Sequence, residues 1–376
     1  MESGDASMIN SWTGFQPLRE VWLGAPWSEA WADIICYRKQ DQDNIRNIIE
    51  LTNNQLSAFQ NIMESDGIMV RRPNMPDPEE VFLRWKEYKE YFETMLKQPI
   101  KATGDFGKFK RELQLFFATA DGERTKPQMN PRDDFFVYGN TLYVFLPYCN
   151  AMAWWGETLQ QYIRDGYDVR FFGPLSHEKY HIDLWNGAVP PSVVRLGKKV
   201  IVELSKESIE NAETGPPGMF TLAKALEHQY HADVFISDSP DDRHGDGQFA
   251  VLRPGTALTS KSRTDLYDET FPGWNFIQHE PEYLSLSQKQ RDEIDELRFV
   301  KGNIEAWIGD ITETFFDVNV LVKDPENVYV SNKPPKSLGS NYTKVPWKYR
   351  WFWDGGLHCI TLDINREGKQ EDYFAS

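Results

Sequence analysis

Cysteine is scarce in this chain: 376 residues carry three, Cys36, Cys149 and Cys359. Their odd number and wide spacing exclude a disulfide framework and a zinc-ligand pattern, and point to a reducing compartment. Long apolar runs are missing too. None approaches the roughly 20 residues needed to span a bilayer, and Met1 to Asn10 is polar and acidic, without the basic flank and apolar run of a signal peptide. Positive charge is short, with 41 Lys+Arg against 57 Asp+Glu and a net charge of −16. That balance argues against a nucleic-acid or anionic-membrane partner, and it is compatible with a pocket for a cation. A cytoplasmic, soluble protein is expected. What is abundant is core-forming material, 40% hydrophobic and 14% aromatic residues, enough for one large domain or two or three small ones.

Taken in order, the chain shows a repeat. Leu18 to Leu23 predicts a strand closed by Gly24. Ile45, Ile48, Ile49, Leu56, Phe59, Ile62 and Met63 predict a helix from about Asp43 to Glu64, stopped by Asp66-Gly67 before a strand at 68–71. After a proline-rich break at 72–78, residues 79–128 are charged and aromatic and read as a surface excursion. Hairpins with glycine in the turn are predicted at 135–145, 192–203 and 248–259. The first of these is followed by a helix at 151–164 and a strand at 168–172. The second is followed by a helix at 219–230 and a strand at 233–237, and the third by a strand at 275–278. Segments 318–322 and 327–330 flank Asp324-Pro325, and a closing strand is expected to begin at Cys359. Five β-β-α-β units in succession, the first hairpin the least clear, imply units packed around a shared axis.

Chemically active residue types gather at the unit boundaries: Asp133 before the second hairpin, His244-x-Asp246 before the fourth, Asp317 before the fifth, and Cys359 after the glycine pair Gly355-Gly356. Units related by rotation bring such positions to one end of the axis, the geometric condition for a shared site. A cysteine on a glycine-permitted turn can face a pocket, and a thiolate there is a nucleophile. The plainer alternative is a small buried apolar residue. On an extended segment His244 and Asp246 share one side. The histidine suits proton transfer and the aspartate a fixed acceptor, with an acidic surface turn as the alternative. Asp133 and Asp246 flanking a cavity suit a planar guanidinium, although Asp133 also fits a helix or strand cap and Asp317 a solvated turn. Arg263 suits a substrate carboxylate or an ordinary basic turn.

Pro131-Arg-Asp133 with Gly139-Asn140, His244-x-Asp246 with Pro254-Gly255 and Arg263, Asn319-Val-Leu321, Gly355-Gly-x-His-Cys359-x-Thr361-x-Asp363, Arg366-x-Gly368 and Asp372-Tyr-Phe374, preceded by Asn10-Ser-Trp12, carry a resemblance. Across these segments the chain resembles the guanidino-group amidinotransferases, the family of glycine amidinotransferase and its cyanobacterial toxin-pathway relatives. The resemblance implies a pentein-type five-bladed, pseudo-symmetric α/β propeller of ββαβ units, with residues 1–376 as one catalytic domain. It implies transfer of the amidino group of L-arginine to a small primary amine through an amidino-cysteine, by a ping-pong route without metal or organic cofactor. It assigns Cys359 as nucleophile, His244 as acid/base, Asp133 and Asp246 to the guanidinium, Arg263 to the α-carboxylate and Asp317 to the substrate's amino end. A homodimer is a family-level expectation. Asp317 stands where relatives commonly have serine. The chain departs further at Asn186-Gly-Ala-Val-Pro-Pro-Ser192, where relatives carry an Asp-Ala-Ala-Asp stretch. Val189 and Ser192, or Asn186 with a short insertion, occupy the acidic positions. An arginine hydrolase on the same scaffold and a non-catalytic guanidino-compound binder are the alternatives left open.

Overall fold

The computed structural model describes residues 9–35, 38–75, 77–80, 129–145, 150–172, 190–204, 226–238, 245–247, 249–260, 271–279, 287–289, 291–292, 317–353 and 355–374. Within them the alternating apolar segments form five three-stranded sheets on one plan: a central strand with an antiparallel neighbour on one side and a parallel neighbour on the other. The strands are β1 (Leu18–Leu23), β2 (Met69–Arg71), β3 (Phe135–Tyr138), β4 (Thr141–Phe145), β5 (Asp168–Phe172), β6 (Val193–Leu196), β7 (Lys199–Leu204) and β8 (Asp233–Asp238). They continue with β9 (Phe249–Arg253), β10 (Thr256–Ser260), β11 (Asn275–His279), β12 (Leu321–Asp324), β13 (Asn327–Val330), β14 (Asn341–Lys344) and β15 (Thr361–Arg366). The hairpins β3–β4, β6–β7 and β9–β10 turn through Gly139, Gly197 and Gly255 at φ of 61°, 65° and 73°. At Gly197 the constraint is doubled, because a Cβ would also lie 2.1 Å from the Glu371 carbonyl oxygen.

Helical periodicity holds where it was strongest. Helix α1 (Lys39–Ser65) buries Ile45, Ile48, Ile49, Leu56, Phe59 and Met63 along one stripe. It ends where Gly67 enters the left-handed region (φ 79°), with Ile68 N–H donating to Met63 O (3.0 Å) and Gly67 N–H to Glu64 O (3.0 Å). Helix α2 (Asn150–Arg164) stops the same way at Gly166, with Tyr167 N–H donating to Tyr162 O (2.9 Å). Both helices pack on the first sheets, and Trp22 of β1 stacks on Trp155 of α2 at 4.4 Å between ring centroids.

Three expectations change. The first sheet is not a local hairpin, because the antiparallel partner of β1 is β15, with Val21 opposite Asp363. The closing strand starts at Thr361 rather than Cys359. Residues 357–360 form a turn because the Asn319 side-chain oxygen accepts the His358 and Cys359 N–H groups (2.8 and 3.0 Å), taking them out of any ladder. The fifth sheet gains β14, whose four residues are all exposed and so carry no alternating pattern. The expected helix at 219–230 is seen from 226 to 230, and its earlier part lies outside the described residues. The excursion at 79–128 also lies outside them from residue 81 on. Among the described residues no helix is long and apolar enough to cross a membrane.

Four of the sheets meet at Asp363. This fully buried carboxylate accepts from the guanidinium of Arg132, which precedes β3, from Arg195 Nη2 of β6 (2.5 Å), from Arg366 Nε (2.7 Å) and from Ser11 Oγ (3.0 Å). Arg366 reaches on to the Val322 carbonyl of β12 (2.9 Å). Burial disfavours the ionised carboxyl, but Arg195, Arg132 and Arg366 outweigh it and hold Asp363 well below the usual carboxylate range. Burial in turn pushes Arg195 down to about 10. Asp363→Asn leaves three buried guanidiniums short of an anion, and a loss of about 3–5 kcal/mol is expected in denaturant unfolding. Because the folded pKa is depressed, the Asp363 contribution is complete above the unfolded value of about 3.9. It is lost only as pH falls through the lower folded value, so wild-type and Asp363→Asn unfolding curves should converge only in strong acid.

Candidate functional site

The turn at 357–360 is fixed from two sides. Arg132, anchored on Asp363, donates from Nε to the carbonyls of His358 (3.1 Å) and Thr361 (3.0 Å). Asn319, just ahead of β12, accepts Leu357 N–H on its backbone oxygen (3.0 Å) and the next two N–H groups on its side chain. The glycine pair makes this approach feasible: a Cβ at Gly356 would fall 2.6 Å from Asn319 Cβ, and one at Gly355 would fall 2.7 Å from Asn130 Oδ1.

Cys359, 4% exposed, is held by this clamp. Asn319 Nδ2 lies 3.0 Å from Sγ and also 3.2 Å from the Asp246 carbonyl oxygen. Asp246 sits in a buried 3₁₀ turn, Gly245–Gly247, while His244, with which it was expected to share an extended segment, lies outside the described residues. Asp246 Oδ2 is 3.5 Å from Cys359 Sγ and 2.6 Å from His358 Nδ1. Asp133 lies in the one-turn helix Pro131–Asp134, where Asn130 Nδ2 donates to its Oδ2 (3.3 Å). Cys359 and Asp246 are thus in contact, and Asp133 lies near enough for its charge to act on the thiol.

The electrostatics of the group are uneven. Burial pushes the Cys359 thiol well above its ordinary range, and the negative charges of Asp246 and Asp133 push it further. The Asn319 amide and a backbone hydrogen bond involving Gly356 oppose this. Burial, and then the Arg132 guanidinium, hold His358 below its usual value against the pull of Asp246. A carboxylate only accepts, so in the neutral imidazole Nδ1 carries the proton toward Asp246.

Asp317, 7% exposed, lies two residues before Asn319. Burial raises its carboxyl to about 6 against the opposing influence of His279 and an Asn332 hydrogen bond (3.4 Å). His244 and Arg263 lie outside the described residues, as do Asn186 and Val189. Ser192 is 1% exposed in the turn Pro190–Ser192, which packs against the turns carrying Asp133 and Asp246. An uncharged side chain, Ser192, therefore lies near the site. Among the described residues no group of three or more His, Cys, Asp or Glu is arranged to hold a metal ion.

Sequence reasoning assigned no role to Asn319 or His358. Both stand in the quoted motifs, and the adjoining glycine pair was the signal that something packs closely there. Which side chain does so is set by a partner 40 residues away along the chain.

No protein-family model matches the sequence. Curated relatives do. The chain is 22% identical over 410 residues to the L-arginine:L-lysine amidinotransferase of Pseudomonas savastanoi pv. phaseolicola, covering 98% of this chain and 97% of that one. It is 23% identical over 338 residues to the mitochondrial glycine amidinotransferase of Gallus gallus, covering 85% and 70%. Among solved structures, the saxitoxin-pathway amidinotransferase SxtG of Microseira wollei superposes with a TM-score of 0.61 at 17% identity, covering 97% of this chain and 99% of that one. By sequence and by fold alike, the chain resembles the guanidino-group amidinotransferases.

Proposed function

We propose that this protein is an amidinotransferase that moves the amidino group of L-arginine to a small primary amine through an amidino-cysteine on Cys359. One observation carries the proposal: a buried thiol is clamped by Asn319 beside the Asp246 carboxylate, with the charge of Asp133 acting on it as well. The five sheets with their common plan are taken as the five blades of a propeller closed around Asp363.

In the resting site the two carboxylates keep the thiol protonated. An arriving guanidinium supplies the missing positive charge, paired with Asp133 and Asp246, and lowers the thiol pKa when the electrophile is in place. His244 takes the thiol proton, and the sulfur attacks the central guanidinium carbon to give a tetrahedral adduct. Collapse breaks the bond from that carbon to the side-chain nitrogen. His244 returns its proton to that nitrogen and ornithine leaves. An acceptor amine then attacks the amidino carbon, gives a proton to His244, and the carbon–sulfur bond breaks to restore the thiol. Arg263 holds the α-carboxylate and Asp317 the substrate's amino end. No metal or organic cofactor takes part in this scheme, and a cytoplasmic homodimer is the proposed working form. Water in place of the amine would make the protein an arginine hydrolase. If the uncharged Ser192 position stops the chemistry, the protein becomes a guanidino-compound binder.

Mass spectrometry after incubation with arginine, with and without glycine, lysine, ornithine, taurine and simple diamines, tests the reaction. Ornithine together with a newly amidinated amine is expected. Citrulline, or ornithine with urea, formed regardless of any amine would replace transfer by hydrolysis; no turnover and no adduct on Cys359 would leave binding only. Cys359→Ala should remain folded, lose turnover by at least about 10⁴-fold and show no amidino adduct. Arg263→Ala should raise KM for arginine with kcat little changed, and an unaltered KM would remove its carboxylate role. Since burial, Asp246 and Asp133 raise the Cys359 pKa, alkylation of that thiol should rise with pH to a midpoint above that of a free cysteine. Asp133→Asn removes one negative charge and should bring the midpoint down, while an upward shift would contradict the electrostatic scheme.

A further inference from the structure

Asp246 can grip a planar cation only if its carboxylate is held in one orientation. The adjoining thiol is a weak donor and the Asp246 backbone is in a short turn. Among the described residues, a short contact to this carboxylate comes from the residue next to the cysteine in the chain. His358 Nδ1 lies 2.6 Å from Asp246 Oδ2, the same oxygen that faces Cys359 Sγ at 3.5 Å. The imidazole is itself aimed by its backbone: its N–H is taken by Asn319 Oδ1 (2.8 Å) and its carbonyl by Arg132 Nε (3.1 Å). From the geometry we propose that His358 is a positioning residue, whose Nδ1–H fixes the Asp246 carboxylate beside the Cys359 thiol and toward the incoming cation.

Two consequences follow from the shared oxygen. The hydrogen bond draws carboxylate charge away from the sulfur, which favours the thiolate. It also stops Asp246 rotating away from the cation site. The groups acting electrostatically on the imidazole are Asp246, Asp363 and Arg132. Arg132 is committed to Asp363 and two backbone carbonyls, and Asn319 meets Asp246 at its backbone carbonyl, whereas His358 meets the Asp246 carboxylate itself from the turn that carries Cys359.

Alkylation of Cys359 by iodoacetamide, followed by peptide mass spectrometry across a pH series, tests this without requiring turnover. Its meaning for catalysis rests on the proposed function. His358→Ala is expected to slow alkylation about tenfold at a fixed pH near neutrality and to move the midpoint upward. His358→Asn places an amide N–H close to the lost Nδ1–H and should restore most of the rate. His358→Gln, which reaches toward the Nε2 position, should not. If the alanine variant does not fold, the Asn–Gln difference carries the test. A folded His358→Ala with a wild-type profile, or Asn and Gln variants that behave alike, overturns the proposal. With arginine as substrate, His358→Ala should raise KM more than it lowers kcat. Absence of wild-type turnover would count against the transferase, while the alkylation series would still decide the role of His358.

Discussion

One carboxylate surrounded by three guanidiniums holds the architecture in register. Asp363 lies where Arg132, Arg195 and Arg366 converge, and these side chains belong to or adjoin three different sheets, with Arg366 reaching a fourth. Burying four charges is costly, and the cost is offset only because the arginines also satisfy backbone carbonyls: Val137 from Arg195, Gln16 and Val322 from Arg366, His358 and Thr361 from Arg132. Such an arrangement tolerates few geometries, which is a way of specifying how separate sheets meet.

The same arrangement reaches the chemistry in one step. Arg132 joins the Asp363 cluster to the turn that carries Cys359, and Asn319 closes that turn from the β12 side. Structural rigidity and the placement of the Cys359 thiol therefore share residues. The local field runs against reactivity at rest, because burial and two carboxylates keep the thiol protonated. A buried thiol beside fixed negative charge is protected from casual electrophiles and oxidants, and under the proposed function it would become competent when a cation enters. The overall acidity of the chain agrees in sign with that preference.

Legibility in the sequence followed the strength of local physics. Helices α1 and α2 were plain because their apolar residues recur at helical spacing and a glycine ends each. Three hairpins were plain because a glycine at positive φ separates two apolar runs. Strand β14 was hidden because Asn341–Lys344 buries nothing, and the β1–β15 pairing because no local pattern encodes a partner at the far end of the chain. The repeat singled out Asp133, Asp246 and Cys359, of which Asp246 and Cys359 are in contact. The roles of Asn319 and His358 needed coordinates, since each is defined by which buried groups it touches. Asp246 stands in a tight turn because a Gly-Asp-Gly run is as compatible with a turn as with a strand, and His244 lies outside the described residues.

The pairing of β1 with β15 also orders events in time. Asn10 and Arg366, in contact across this seam, are 356 residues apart in sequence. Contacts of such separation form late, because the loop entropy they close is lost before they return anything. The turn holding Cys359 runs directly into β15, so the clamp on it adjoins this late-closing seam. Closure of the seam would then coincide with the fixing of Cys359 beside Asn319 and Asp246.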